Sequence, residues 1–262
     1  MAITNPPGAP AQMQAVVHLA NNCIKFAEEV CDAVLERQTP DPNTNLAGIA
    51  GACIARGAQA LMSTTELAQR GFIGDALTVA RTIVELAIDL GYIESDAGTL
   101  IRRFRDYADV RNREMAEAIN ELYGGNVSPA AMQVLRDRAE EYIGNEPNSE
   151  YSWAAVGRSR RGVGWRAERV AGSEQRRSDY RRMYALLYGE MCGASHSGAI
   201  TLEYTMTNGA IQFGPQAPSA RPVRLAAQTL LMMIRGVLDA CAIEGFDERH
   251  SANWEAIAAF GR

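Results

Sequence analysis

The segment from Gly74 to Ser95 is apolar over most of its circumference when wound as a helix. Leu77, Ala80, Val84, Ala87 and Ile88 form one face, and Val79, Ile83, Leu86, Leu90 and Ile93 form a second. An arc this wide exceeds what a surface helix buries, so the segment is expected at the centre of a bundle, surrounded by other helices. The remaining stripe is polar. There a spacing of four stacks Arg81, Glu85 and Asp89 on successive turns.

The rest of the chain supplies the surrounding helices. Apolar residues recur at three and four over about 11–38, and the prolines after Thr39 forbid continuation. A second helix is expected from about Leu46 to Gln69, rich in small residues that let a neighbour approach closely, and Arg70-Gly71 closes it. Further helices are expected over about 99–122 and from Ser128-Pro129 to Gly144, where serine caps and proline suits the first turn. Another covers about 175–192, and two more close the chain near 221–244 and 252–260. Residues 1–10 read as a flexible arm, and 145–172 as a long irregular loop broken by glycines. Ile200–Thr207 and Ala210–Phe213, separated by Asn208-Gly209, predict one small β-hairpin insertion near 200–214. The expected fold is thus all-α, a multi-helix bundle forming a single helical domain over 11–262.

Charge is unevenly distributed. The chain carries −5 overall, yet nine arginines and three acids between Val156 and Arg182 make that stretch +6. Arg158, Arg160, Arg161 and Arg166 head this block and are candidate nucleic-acid contacts, since guanidinium forks match phosphate oxygens. The alternative is an ordinary solvated loop in a chain that has a single lysine, Lys25, and uses arginine everywhere. Five scattered cysteines without a Cys-x-x-Cys pair signal neither a disulfide framework nor a zinc site, and point to the reducing cytoplasm. The first dozen residues lack a basic start and an apolar run, and the most apolar stretches, 77–93 and 225–243, are interrupted by charges, so no membrane span is expected.

Aromatic hydroxyls, an ionisable ring and a break in the helix converge at one place, Tyr180-x3-Tyr184-x3-Tyr188 followed by Ser195-His196. Tyr180, Tyr184, Leu187, Tyr188 and Met191 share a helical face. With Arg81 and Glu85 opposite, His196 has the parts for metal-independent phosphodiester cleavage. The ring takes up or releases a proton, the carboxylate orients it, and the guanidinium stabilises developing charge. Tyr180, Tyr184, Tyr188 and Ser195 are the candidate ligand contacts. The alternative is structural throughout: tyrosines at helical spacing are usually core, Arg81–Glu85 is a register-fixing pair, and His196 satisfies the carbonyls that end its helix.

The Arg81-x3-Glu85 pair, the Gly162-Val-Gly-Trp165 loop and the Tyr180…Tyr184…Ser195-His196 series together resemble an uncharacterised bacterial all-helical family known as a domain of unknown function, over roughly residues 45–205. That resemblance implies a single helical domain in a cytoplasmic bacterial or phage-related setting, and a role in defence or regulation. A more distant likeness is to HEPN helical domains, whose ribonuclease members place an arginine and a histidine four to six residues apart on one helix. Here Arg182 and His196 are too far apart for that pattern.

Absent motifs exclude other chemistry. The sequence has no phosphate-binding Gly-x4-Gly-Lys-Ser/Thr loop, no dinucleotide Gly-x-Gly-x-x-Gly after a strand and no His-Glu-x-x-His, and three histidines make a histidine-rich metal site unexpected. No cofactor and no metal are expected. Two readings stand. In the first, the chain is a helical binding or regulatory module that takes a small ligand, protein or RNA in a crevice lined by Arg81, Glu85, Tyr184 and Tyr188. In the second, it is a ribonuclease or nucleic-acid-binding effector. The apolar run Leu230–Ile234 also leaves surface for homo-oligomerisation.

Overall fold

The computed structural model describes residues 3, 10–41, 44–125, 127–145, 153–154, 162–195, 206–207, 210–211 and 215–260. They form an all-α bundle. Helix α1 spans Ala11–Leu35, α2 Leu46–Gln69 and α3 Ile73–Ile93, which leads through a 3₁₀ turn at Glu94–Asp96 into α4, Ala97–Tyr123. Helix α5 spans Pro129–Asn145 and the short α6 Val163–Ala167. Helix α7, Glu174–Met183, continues through a π-turn at Tyr184–Tyr188 into α8, Gly189–Ser195. Helices α9, Arg221–Ala240, and α10, Asp247–Ala259, close the chain.

Local chemistry sets several of these ends. The Asn45 side chain accepts the Gly48 N–H at 2.8 Å to start α2, and Ser173 does the same for the Arg176 N–H at 3.2 Å in α7. Gly124 ends α4 in the left-handed conformation that a side chain disfavours. The wide apolar arc of α3 is buried as its composition demands: Ile83, Val84, Ala87 and Ile88 have no exposure, and α3 packs against α2, α6, α8 and α9. Small residues let α2 and α9 approach: a Cβ on Gly57 would fall 2.8 Å from the Met233 methyl.

Two sequence expectations change here. Leu230, Leu231, Met233 and Ile234 all turn into the core and Met232 is half-buried, so this run offers little surface for self-association. The loop 145–172 is not irregular throughout, because Val163–Ala167 is a helical turn too short to show a period. The hairpin near 200–214 falls mostly outside the described residues; within it, Met206 pairs with Ile211 and Thr207 with Ala210, antiparallel. Among the described residues one helix, Leu46–Gln69, is long and apolar enough to cross a membrane, and half of its most apolar window is buried in the bundle.

Gly71 joins α2 to α3 at φ +79, and its carbonyl accepts the Gln216 N–H at 2.9 Å, tying the entry of α9 to this corner. A Cβ there would meet the Gln216 carbonyl oxygen at 1.9 Å. Gly71→Ala therefore combines strained φ with a backbone clash and is expected to cost about 2–4 kcal/mol in urea denaturation; a cost within about 0.5 kcal/mol would contradict this packing.

Candidate functional site

Arg81 and Glu85 meet on the polar stripe of α3 as their spacing requires, with Nε 3.3 Å from Oε1 and both side chains partly exposed. The same Glu85 oxygen accepts the Tyr188 hydroxyl at 3.1 Å, and Arg81 Nη1 lies 3.8 Å from Cys192 Sγ. The π-turn inserts one extra residue into the tyrosine helix and brings the Tyr184 and Tyr188 rings into a stack, 5.1 Å apart and 23° from parallel. A Cβ at Gly164 would lie 2.8 Å from the Tyr184 ring, so α6 rests closely against it. Burial and the Glu85 carboxylate raise the Tyr188 phenol far above its usual range, which makes it a hydrogen-bond donor at neutral pH and unsuited as a base.

The expected tyrosine face does not act as a unit. Tyr180 is buried 3 % exposed and turns instead toward Arg176, whose guanidinium lies over its ring, and toward Gly236 of α9. Ser195 ends α8, and His196, Arg158, Arg160 and Arg161 lie outside the described residues. The four expected crevice residues pack as a polar seam between α3 and the tyrosine helix.

Arg166 departs most from its expected role as a phosphate contact. Its side chain is 7 % exposed, and its Nε donates to Asp89 Oδ1 on α3 at 2.6 Å. The other Asp89 oxygen accepts the Trp153 indole N–H at 3.4 Å. The Trp153 carbonyl in turn accepts Arg103 from α4, at 3.1 Å from Nη2, and the Tyr142 hydroxyl from α5, at 3.3 Å. The Trp153 ring packs edge-on to Phe104 and tilted against Tyr92. One carboxylate on the central helix thus anchors the excursion, which then gathers α4, α5 and α6 around it.

Four more of the described arginines of the basic block are also committed, while Arg182 is exposed. Arg176 Nη2 donates to Glu94 Oε2 at 2.6 Å, Arg169 stacks on Trp165 and pairs with Glu168, and Arg177 and Arg181 both hold Glu174. Among the described residues, the block stitches elements together at Arg166 and Arg176 and forms exposed pairs at Arg169, Arg177 and Arg181.

Arg176, held by Glu94, lines the floor of a cleft of about 680 Å³ between α7, α9 and α10. Gly236 is needed there, since a Cβ would fall 2.6 Å from Arg176 Nη2. Burial raises the Glu94 carboxyl despite Arg176, and raises the Tyr180 phenol. The half-buried Trp254 lines the opposite wall with His250, whose Nε2 lies 2.9 Å from the Leu231 carbonyl and so donates to it. Arg235 is held by Asp239 and Asp247. These wall residues were not singled out from sequence, although the spacing of four between His250 and Trp254 marks a shared face on the short closing helix. Among the described residues no group of three or more His, Cys, Asp or Glu is placed to hold a metal ion.

Near-complete enclosure pushes the Asp89 carboxyl up to about 6 against the opposing pull of Arg166 and the Trp153 N–H. A carboxyl with a raised folded-state pKa binds more protons when folded, so its contribution is fully present below its ordinary 3.8 and is lost as pH rises through about 6. Relative to Asp89→Asn, the native chain should therefore lose about 2 kcal/mol of unfolding free energy between about pH 3.8 and about pH 6.5. Urea denaturation of both proteins at the two pH values measures this, and a pH-independent difference would contradict it.

No curated protein and no solved structure matches the chain significantly. Residues 47–212 match a family described as "Family of unknown function (DUF5677)", a span that runs from the start of α2 past α8 and holds the Arg81–Glu85–Tyr188 seam and the Asp89 anchor. The α9 and α10 walls of the cleft lie beyond it. The match covers more than half of the 262 residues, and the chain belongs to this family, DUF5677.

Proposed function

We propose that this chain is a non-catalytic helical binding module, regulatory in role, whose ligand is an organic cation with a flat apolar part held in the cleft between α7, α9 and α10. The observation that carries the reading is the cleft itself. Its volume of about 680 Å³ suits a small molecule, and it joins an accessible indole, Trp254, to an excess of carboxylates. Both guanidiniums there are already matched, Arg176 by Glu94 and Arg235 by Asp239 and Asp247. That leaves Asp179, which accepts only a neutral Gln175 amide, and Glu255 to meet the ligand beside the ring. A cation gains from both the π face and the carboxylates, whereas an anion meets net negative charge. A cytoplasmic location accords with five free cysteines.

Benzamidine is a suitable probe. It should bind saturably by isothermal titration, more weakly as salt is raised, and Trp254→Ala or Glu255→Gln should weaken it at least about tenfold without lowering the melting temperature. Adenosine monophosphate should not compete. Tight binding of the nucleotide with none of the amidine would overturn the reading.

A second reading, metal-independent RNA cleavage, is favoured by the Arg81–Glu85–Tyr188 contact on the helix that runs on toward His196. His196→Ala should then abolish cleavage of labelled RNA at unchanged stability. Wild-type protein that neither cuts nor retains RNA at low salt removes this reading.

A further inference from the structure

Helix α4 is 27 residues long, about 40 Å, and its two halves meet different surroundings. Along its first half, Leu100, Ile101 and Phe104 pack with Tyr92, Ile93 and Trp153. The seam that does this repeats every seven residues as Ile101, Ala108, Met115 and Leu122, with Ala118 and Ile119 filling between the last two. Beyond Val110, however, the seam faces solvent: Met115 is 59 % exposed, Leu122 74 % and the adjoining Tyr123 70 %. The side that α4 presents to α5 is a different one, formed by Val110 and Tyr107 against Ala139 and Tyr142. The helix therefore carries an apolar strip, in coiled-coil register, that its own fold leaves open.

The charge along α4 is also divided. Residues 97–113 hold five arginines and two aspartates, net +3, and residues 114–123 hold Glu114, Glu117 and Glu121 with no base, net −3. A helix polarised this way complements itself when reversed. We infer that the exposed strip is the interface with a second copy of this chain, in which the far halves of two α4 helices pack antiparallel about a two-fold axis. With Met115 facing Ala118 of the copy, large side chain meets small, and Glu121 comes beside the copy's Arg111 on the same flank of the seam, twice by symmetry. Arg111 and Glu121 are surface residues; Arg111 holds an exposed bond to Glu114 and also meets the Tyr107 side chain.

One helix per copy buries less than the roughly 1,200 Å² of a standard complex, so the dimer should form in a concentration-dependent way. Sedimentation equilibrium of the full chain tests it. The expected result is a mass rising from 28.5 kDa to twice that value with concentration. Leu122→Asp should leave a monomer with an unchanged melting temperature, since the side chain is already exposed. Arg111→Glu should weaken association at least about tenfold, and adding Glu121→Arg to it should restore most of the loss, which a merely sticky apolar patch would not do. A chain that stays monomeric up to about 1 mM, as it would if a different protein covers the strip, overturns the inference. So does a dimer that survives Leu122→Asp.

Discussion

A carboxylate on the central helix has few ways to exist in an apolar bundle, and Asp89 takes the demanding one. Its two oxygens face a guanidinium and an indole N–H inside the fold, both brought by a segment more than sixty residues downstream. Removing either donor leaves one carboxylate oxygen without its partner in a largely buried place, which is costlier than never having buried the charge. Trp153 and Arg166 must return to α3, and the Trp153 carbonyl then gives Arg103 and Tyr142 a common acceptor. Glu94 repeats the device one turn beyond, where it holds Arg176 and so fixes where α7 crosses α9.

These clamps connect the fold to the cleft. The Arg176 side chain that neutralises Glu94 also lies flat on Gly236 and under Tyr180, so the floor of the cleft is the same set of contacts that docks the tyrosine helix. A ligand resting there presses on a region whose charges are mutually matched. The Arg81–Glu85–Tyr188 seam sits on a later turn of the same helical run, and its π-turn is the kind of local irregularity that is kept when a side chain has to point away from its regular direction.

Much of this was legible in the residues, and what was not has a physical cause. The apolar arc of α3 marks the central helix, and Arg70-Gly71 marks the end of α2. Arg81–Glu85 followed from spacing. By contrast, the arginine block looked like a surface because its counter-charges are remote in sequence: Asp89 is 77 residues from Arg166 and Glu94 is 82 from Arg176. Local charge balance cannot reveal such pairs. Tyr180 was grouped with Tyr184 and Tyr188 by a 3.6-residue period that the π-turn breaks, and the sequence carries no signature of that extra residue. The cleft was invisible for a similar reason, since its walls come from three helices and no single motif spans them.

The Asp89–Arg166 contact acts as a clamp between α3 and α6. A double-mutant cycle with Asp89→Asn, Arg166→Met and the double variant, read by urea denaturation at neutral pH, isolates that contact. Coupling of about 2–5 kcal/mol, with the double variant more stable than the single-variant costs sum to, is the expected outcome. Additive costs, with coupling below about 0.5 kcal/mol, would mean that the excursion is held by other contacts and that Arg166 is as dispensable as a surface charge.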